Sequence, residues 1–201
     1  MAGERFNADY YLRGPELEIS NYHDYRWLPT ATLEACAAMM SHLGASYGES
    51  VLDFGCARGY YVRALRMLGY EARGCDISRW AVENCDPTVR DYVGFKPTPA
   101  EWLLCKDTLE HVPQDELSCV FYGLLSCAMK GALLIVPLAD ESGEYLNPAD
   151  RRDITHVIRW TLGEWLAFIK SITYRHVAFT TAISGVKEAA APGSCGFITV
   201  R

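Results

Sequence analysis

The stretch VLDFGCARGYYVRAL, residues 51–65, places one acid, Asp53, two residues before Gly55 where a buried strand turns into a helix. Turns of this kind hold the pyrophosphate of a dinucleotide on the positive end of the helix, and an aspartate there repels such a ligand. The dinucleotide fingerprint needs glycines at its first, third and sixth places. Counted from Gly55 these places hold Gly55, Ala57 and Tyr60, and the second glycine of the turn falls at Gly59 instead. The phosphate-loop pattern fails as well, because no Lys-Ser or Lys-Thr follows. A ligand with a cationic end and no phosphate fits better. S-adenosylmethionine (SAM) carries an ammonium, a sulfonium and a ribose whose two hydroxyls suit a carboxylate. On that reading Asp53 supplies negative potential near the methionine end, and Gly55, Ala57 and Gly59 let the backbone approach closely. Asp76, roughly twenty residues on at the end of the next strand, accepts both ribose hydroxyls.

Two further clusters carry groups that could act on a substrate. In DTLEHVP, Asp107, Thr108, Glu110 and His111 lie just past the carboxyl end of a strand, where open α/β sheets build their sites. His111 is either a general base or a residue that caps and packs the following helix, and Glu110 reads as structural. In DRRDITHVIRW, Asp153 either orients His156 or fixes the start of a helix, while Arg151, Arg152 and Arg159 either hold a carboxylate or phosphate or face solvent. His23, His42 and His176 read as surface or core. No trio of residues shows metal-ligand spacing, so no metal is expected.

The elements that must position these groups alternate. TATLEACAAMMSHLG reads as a helix with Leu33, Cys36, Ala37, Met40 and Leu43 on one face and Gly44 as its stop. SVLDF is a buried strand, and RGYYVRALRMLG a helix burying Val62, Leu65 and Leu68 and closed by Gly69. YEARGCDIS is a strand ending in Asp76, SRWAVENC a short helix and VRDYV a weak edge strand. EWLLC is a strand, PQDELSCVFYGLLSCAM a helix and GALLIVP the most apolar strand. TLGEWLAFIK opens with a capping box, Thr161 and Glu164. YRHVAFTTAIS and GFITVR then read as two strands whose short link makes them antiparallel. Nearly all-apolar strands alternating with helices predict an α/β fold, a doubly wound and mostly parallel sheet covered on both faces. Residues 1–29, with Phe6, Tyr10, Tyr11, Tyr22, Tyr25 and Trp27, form either an arm packed on the domain or a lid over the site, and we expect closure over the cofactor.

The 201 residues suit one domain, with residues 30–201 as its core. A net charge of −6 lacks the general attraction that nonspecific nucleic-acid binding and anionic membranes need, without excluding a local basic groove. Eight scattered cysteines with no C-x-x-C pair argue against a zinc site or a disulfide scaffold and for a reducing compartment. No apolar run is long enough to be a signal peptide or to span a bilayer, so a cytoplasmic protein is expected.

VLDFGCARG, GCDIS, CKDTLEHVP and GALLIVP, in this order and spacing from Val51 to Pro137, closely resemble the motifs of the class I SAM-dependent methyltransferases, with the LEHV tetrapeptide of a type 11/12-like subgroup. The resemblance implies a Rossmann-like sheet of seven strands with an antiparallel last strand. It places cofactor contacts at Asp53, Gly55, Cys56, Ala57, Gly59, Tyr60, Asp76, Ile77, Asp107 and Thr108, with Asp107 and Thr108 beside the methionine portion. It also makes the connection before the last helix an acceptor wall, with Asp153, Arg152 and Trp160 as substrate residues and His111 and His156 as candidate catalytic ones. The family's middle glycine is Ala57 here, a change tolerated if that residue avoids positive φ. The acid that the family often sets against the adenine amine has no counterpart in YVGFKPTPAEW. No N/D-P-P-Y/F signature follows the fourth strand, no Pro-Cys nucleophile occurs and no target-recognition domain is added, which sets the DNA-methylating classes aside. The expected acceptor is an oxygen or nitrogen of a small molecule or sugar unit. The alternatives are methylation of a macromolecule, RNA or protein, and a non-catalytic SAM-binding module.

Overall fold

The computed structural model describes residues 2–187 and 192–201; residues 188–191, in the loop expected between the last two strands, lie outside the described residues. Six α-helices and seven strands follow one another in it: α1 (Ala8–Leu12), α2 (Pro29–Leu43), β1 (Ser50–Phe54), α3 (Tyr60–Met67), β2 (Glu71–Cys75), α4 (Arg79–Glu83), β3 (Val93–Gly94), β4 (Ala100–Lys106), α5 (Gln114–Ser126), β5 (Ala128–Pro137), α6 (Leu162–Ile172), β6 (Val177–Thr180) and β7 (Cys195–Val200). The sheet runs β3-β2-β1-β4-β5-β7-β6, parallel except for β7, which pairs antiparallel with both β5 and β6. This is the Rossmann-like, seven-stranded α/β fold that the strand pattern and the family resemblance imply.

Register decides where the chemistry sits. Phe54 at the end of β1 lies opposite Cys75 of β2 on one side and Cys105 of β4 on the other. The turn after β1, Asp76 after β2 and Asp107 after β4 therefore emerge side by side at one edge of the sheet, the edge at which parallel sheets bind ligands. The strands that carry them are buried between two apolar layers. One is built on α2 and α3 through residues such as Met39, Met40 and Leu65, the other on α5 and α6 through Phe121, Leu124 and Trp165.

Three local expectations need correction. In α2, Ala37 is exposed while Ala35 and Met39 are buried, so the buried face is rotated from the expected one. The helix is apolar on most sides, and spacing alone does not choose a face. VRDYV is mostly a 3-10 helix, Pro87–Tyr92, because Pro87 opens it and the Asp86 carboxylate accepts from Thr88 N; the edge strand is only Val93–Gly94. The helix expected over residues 113–129 ends at Ser126, where Cys127 N donates back to Leu124 O and Ala128 starts β5 against Ala100. The capping box is present: Thr161 Oγ1 accepts from Glu164 N at 3.2 Å, and Thr161 N donates to Glu164 Oε2 at 2.8 Å.

Candidate functional site

A cavity of about 360 Å³ opens at the carboxyl edge of β1, β2 and β4, and two unlike walls enclose it. The first wall is made by the glycine turn and the acids beside it. Gly55 has φ +80°, and a Cβ there would lie 2.1 Å from Thr108 Oγ1, so only glycine fits. Ala57 has φ +47°, so the condition under which alanine replaces the family's glycine without strain is not met. The left-handed region costs a residue with a Cβ about 1–2 kcal/mol. Part of what holds Ala57 there is Asp76, whose Oδ2 accepts from Ala57 N at 2.8 Å while its Oδ1 accepts from Ser78 N at 2.7 Å. Both oxygens of Asp76 are thereby oriented before any ligand arrives, and burial raises its pKa above the usual aspartate value.

Asp53 is only 5% exposed, and its Oδ2 has no hydrogen-bond partner. Burial first, and the charge of Asp76 second, push its pKa up to about 7. Asp107, at φ +51°, makes ion pairs with Lys106 and Lys187. Burial would raise its pKa, but the two ammonium groups hold it well below the usual carboxylate range. Asp107 is thus charged and paired at neutral pH, whereas Asp53 titrates there and ionises fully when a cation approaches.

The second wall is the N-terminal segment. Asn7 caps α1 by accepting from Asp9 N and Tyr10 N, and the short helix buries two adjacent rings, Tyr10 and Tyr11. Phe6, Tyr10, Tyr11, Tyr22 and Tyr25 all border the cavity. The segment is fastened from several elements: Ser78 Oγ donates to Phe6 O at 2.5 Å, Arg58 to Tyr25 O at 3.1 Å, Tyr10 Oη to Asp153 Oδ2 at 2.8 Å, and Arg5 to His111 O.

His111 stands where the two walls meet. Its ring lies 5.3 Å from that of Phe6 and 4.7 Å from that of His156. Thr155 Oγ1 sits 2.8 Å from His111 Nδ1 and 2.5 Å from Asp153 Oδ1. The single hydroxyl proton of Thr155 goes to the carboxylate, so Oγ1 accepts from His111 Nδ1–H and the lone pair of the ring is on Nε2. Burial first, and His156 second, lower His111 to a pKa of about 4, so the imidazole is neutral at pH 7.

Of the residues expected at the site, Asp53, Gly55, Cys56, Ala57, Asp76, Ile77, Asp107, Thr108 and His111 line the cavity. Gly59 does not; at φ +76° it forms the N-cap of α3. Tyr60 stacks against Tyr25 on the far side of that ring. Asp153 is buried and receives the Tyr10 hydroxyl rather than facing the cavity. His156 lies behind His111, with its Nε2 at 3.9 Å from Asp153 Oδ2. Arg152 is exposed on a 3-10 turn, and Trp160, half-buried, packs against Trp165 and Phe168 at the edge of the core, so neither lines the cavity. Sequence reasoning missed Lys106 and Lys187, which flank Asp107, and Phe95 and Pro97, the cavity residues that the YVGFKPTPAEW stretch does supply. It also missed that Glu110, His111 and His156 converge, with ligand-capable atoms within 4.8 Å of one another.

The sequence profile of a family described as a methyltransferase domain matches residues 28–182. The chain belongs to that family. This methyltransferase is of the class I, SAM-dependent kind. A comparison with curated proteins gives no match. Among solved structures, it is similar to a methyltransferase in complex with the Trm112 methyltransferase activator from Haloferax volcanii, with TM-score 0.64 and 14% identity over 84% of this chain and 89% of that one. It is also similar to the 1,6-didemethyltoxoflavin-N1-methyltransferase of Burkholderia thailandensis, bound to its acceptor and S-adenosylhomocysteine, with TM-score 0.57 and 17% identity over 86% of this chain and 78% of that one. A third is the magnesium protoporphyrin IX methyltransferase of Synechocystis with bound S-adenosylhomocysteine, with TM-score 0.56 and 18% identity over 85% and 82% of the two chains. At these identities the likeness is one of fold. Among the described residues, no helix is long and apolar enough to cross a membrane.

Proposed function

We propose that the methyltransferase transfers the methyl group of SAM to an oxygen or nitrogen of a small molecule or sugar unit bound between the cofactor and residues 1–29. The observation that carries this reading is the buried Asp53 carboxylate, whose Oδ2 has no partner in the protein. A cationic methionine end would supply that partner, and a phosphate would not. Asp76, held by Ala57 N and Ser78 N, is pre-oriented for the ribose hydroxyls. Asp107 and Thr108 border the methionine portion, and Phe95 and Pro97 offer apolar surface to the adenine.

Methyl transfer is a one-step displacement. The acceptor atom forms a bond to the methyl carbon while the carbon–sulfur bond breaks and its electron pair returns to sulfur, leaving a neutral thioether. The reagent supplies the driving force, so the protein's work is to align three atoms and exclude water. The rings of Phe6, Tyr10, Tyr22 and Tyr25 suit that second task, and residues 1–29 act as a lid. Where the acceptor is a hydroxyl, His111 Nε2 is the group placed to take its proton. His156 supports His111 from behind rather than touching the acceptor. An acceptor confined under this ring cluster is a small one.

Calorimetric titration with S-adenosylhomocysteine, with NADH as control, tests the reading. Micromolar binding of the first alone, weakened about thirtyfold or more in Asp76→Ala, is the expected result. Labelled SAM offered with pools of small molecules, RNA or protein then identifies the acceptor class; label entering only RNA or protein would contradict the small-molecule reading.

A further inference from the structure

The geometry points to a divalent-metal site formed by Glu110, His111 and His156 at the rim of the cofactor cavity. Their ligand-capable atoms lie within 4.8 Å of one another, although His156 comes from a distant loop. Glu110 is fully buried, and neither of its carboxylate oxygens has a hydrogen-bond partner; His156 Nδ1 is likewise buried without one. Protonating Glu110 would remove its charge but leave the new hydroxyl without an acceptor. A divalent cation removes both problems, because it neutralises the carboxylate and takes its lone pairs.

The two imidazoles are already set for this. Thr155 takes the Nδ1–H of His111, leaving Nε2 as the donor atom. Asp153 Oδ2 lies 3.9 Å from His156 Nε2, opposite the unpartnered Nδ1. Metal sites fix tautomer and orientation through an outer oxygen of the kind behind His111, whereas the 3.9 Å at His156 is an electrostatic contact beyond hydrogen-bond reach. Two nitrogens and one carboxylate favour a first-row transition ion such as Mn²⁺, Fe²⁺, Co²⁺ or Zn²⁺ over Ca²⁺ or Mg²⁺, which prefer oxygen shells. Ligand bonds to such ions are about 2.0–2.2 Å, so the three atoms draw slightly closer on binding.

Three protein ligands leave coordination positions unfilled, and of the three only His111 lines the cavity, so the acceptor reaches the ion from that side. This consequence rests on the methyltransferase reading above: the ion binds an acceptor hydroxyl and lowers its pKa, the proton leaves to water, and the oxygen attacks the methyl carbon as the electron pair returns to sulfur. His111 then acts as a ligand rather than as a free base, and the acceptor atom is oxygen.

The test is titration of chelator-stripped protein with Co²⁺, followed by visible absorption. One site per chain is expected, with affinity lowered about tenfold or more in Glu110→Gln and in His156→Gln. X-ray absorption of the cobalt-loaded wild-type protein, which needs no variant, is expected to show two imidazoles. No stoichiometric binding, unchanged affinity in both variants, or a shell of oxygens alone would overturn the site. S-adenosylhomocysteine is titrated into the same samples: its binding without cobalt binding overturns only the metal site, whereas failure of both also overturns the cofactor reading.

Discussion

The two walls of the cavity are built by different means. The wall of the glycine turn is made mostly from one continuous run, β1 to the start of α4, joined by Asp107 and Thr108 after β4, and in that run backbone does most of the work: left-handed turn residues and N–H groups that orient Asp76. The opposite wall is assembled from three distant segments through side chains, with Tyr10, Asp153, Thr155 and His111 joined in one buried hydrogen-bonded chain. A backbone-built site tolerates almost no change of Cβ but many changes of side chain. A network built from side chains has the opposite tolerance, since every member left without its partner is exposed to the full desolvation cost.

The largest effect is expected at the tightest backbone position. Gly55→Ala puts a Cβ at φ +80° and 2.1 Å from a threonine hydroxyl, and is expected to destabilise the protein by about 3 kcal/mol or more in chemical denaturation. A neutral result would break the distinction between the walls.

The Asp53 carboxyl comes next. Its folded pKa is about 7 against 3.8 for an ordinary aspartate, so between these values the folded state holds a proton that the unfolded state has lost. Stability is therefore lost as pH rises from about 4 to about 7 and then levels off, and Asp53→Asn is expected to remove a loss of a few kcal/mol. The same carboxyl must be ionised to receive a cation, so affinity for S-adenosylhomocysteine is expected to rise up to about tenfold per pH unit below 7 in the wild type and to stay flat in Asp53→Asn. Calorimetry at several pH values reads both curves.

On the side-chain wall, Tyr10→Phe leaves Asp153 Oδ2 without its hydroxyl donor. It is expected to cost about 1–3 kcal/mol in denaturation and to speed amide exchange in α1. The smallest effect is at Ala57. Glycine there relieves the strain of φ +47° but frees the unfolded chain and removes a buried methyl group, so Ala57→Gly is expected to lie within about 1 kcal/mol of wild type. A large loss would mean that the methyl group, rather than the backbone, shapes this turn.

The same contrast governs what was legible in the sequence. Asp53, Gly55 and Asp76 could be read from one strand–turn–helix–strand run, because local spacing fixes their geometry. The mostly parallel sheet followed from alternating apolar strands, and the antiparallel end from the short link between the last two. What stayed hidden depended on tertiary folding. His156 and Glu110 are brought together by the loop after β5, which returns to donate Val157 N and Ile158 N to Glu110 O, and no linear pattern announces that. Arg152 and Trp160 were placed at the site by their position in that loop, and the fold turns one to solvent and packs the other, half-buried, against the core. Lys187 reaches Asp107 from the far end of the chain by the same kind of long-range closure.

The cofactor is expected to sit on the wall of the glycine turn, with residues 1–29 closed over it and the acceptor. Hydrogen exchange measured by mass spectrometry with and without S-adenosylhomocysteine tests it most directly. Slowed exchange is expected in two separate regions, residues 53–60 with 76–78 and residues 5–25. Slowing confined to the glycine turn, or absent from both regions, would contradict it.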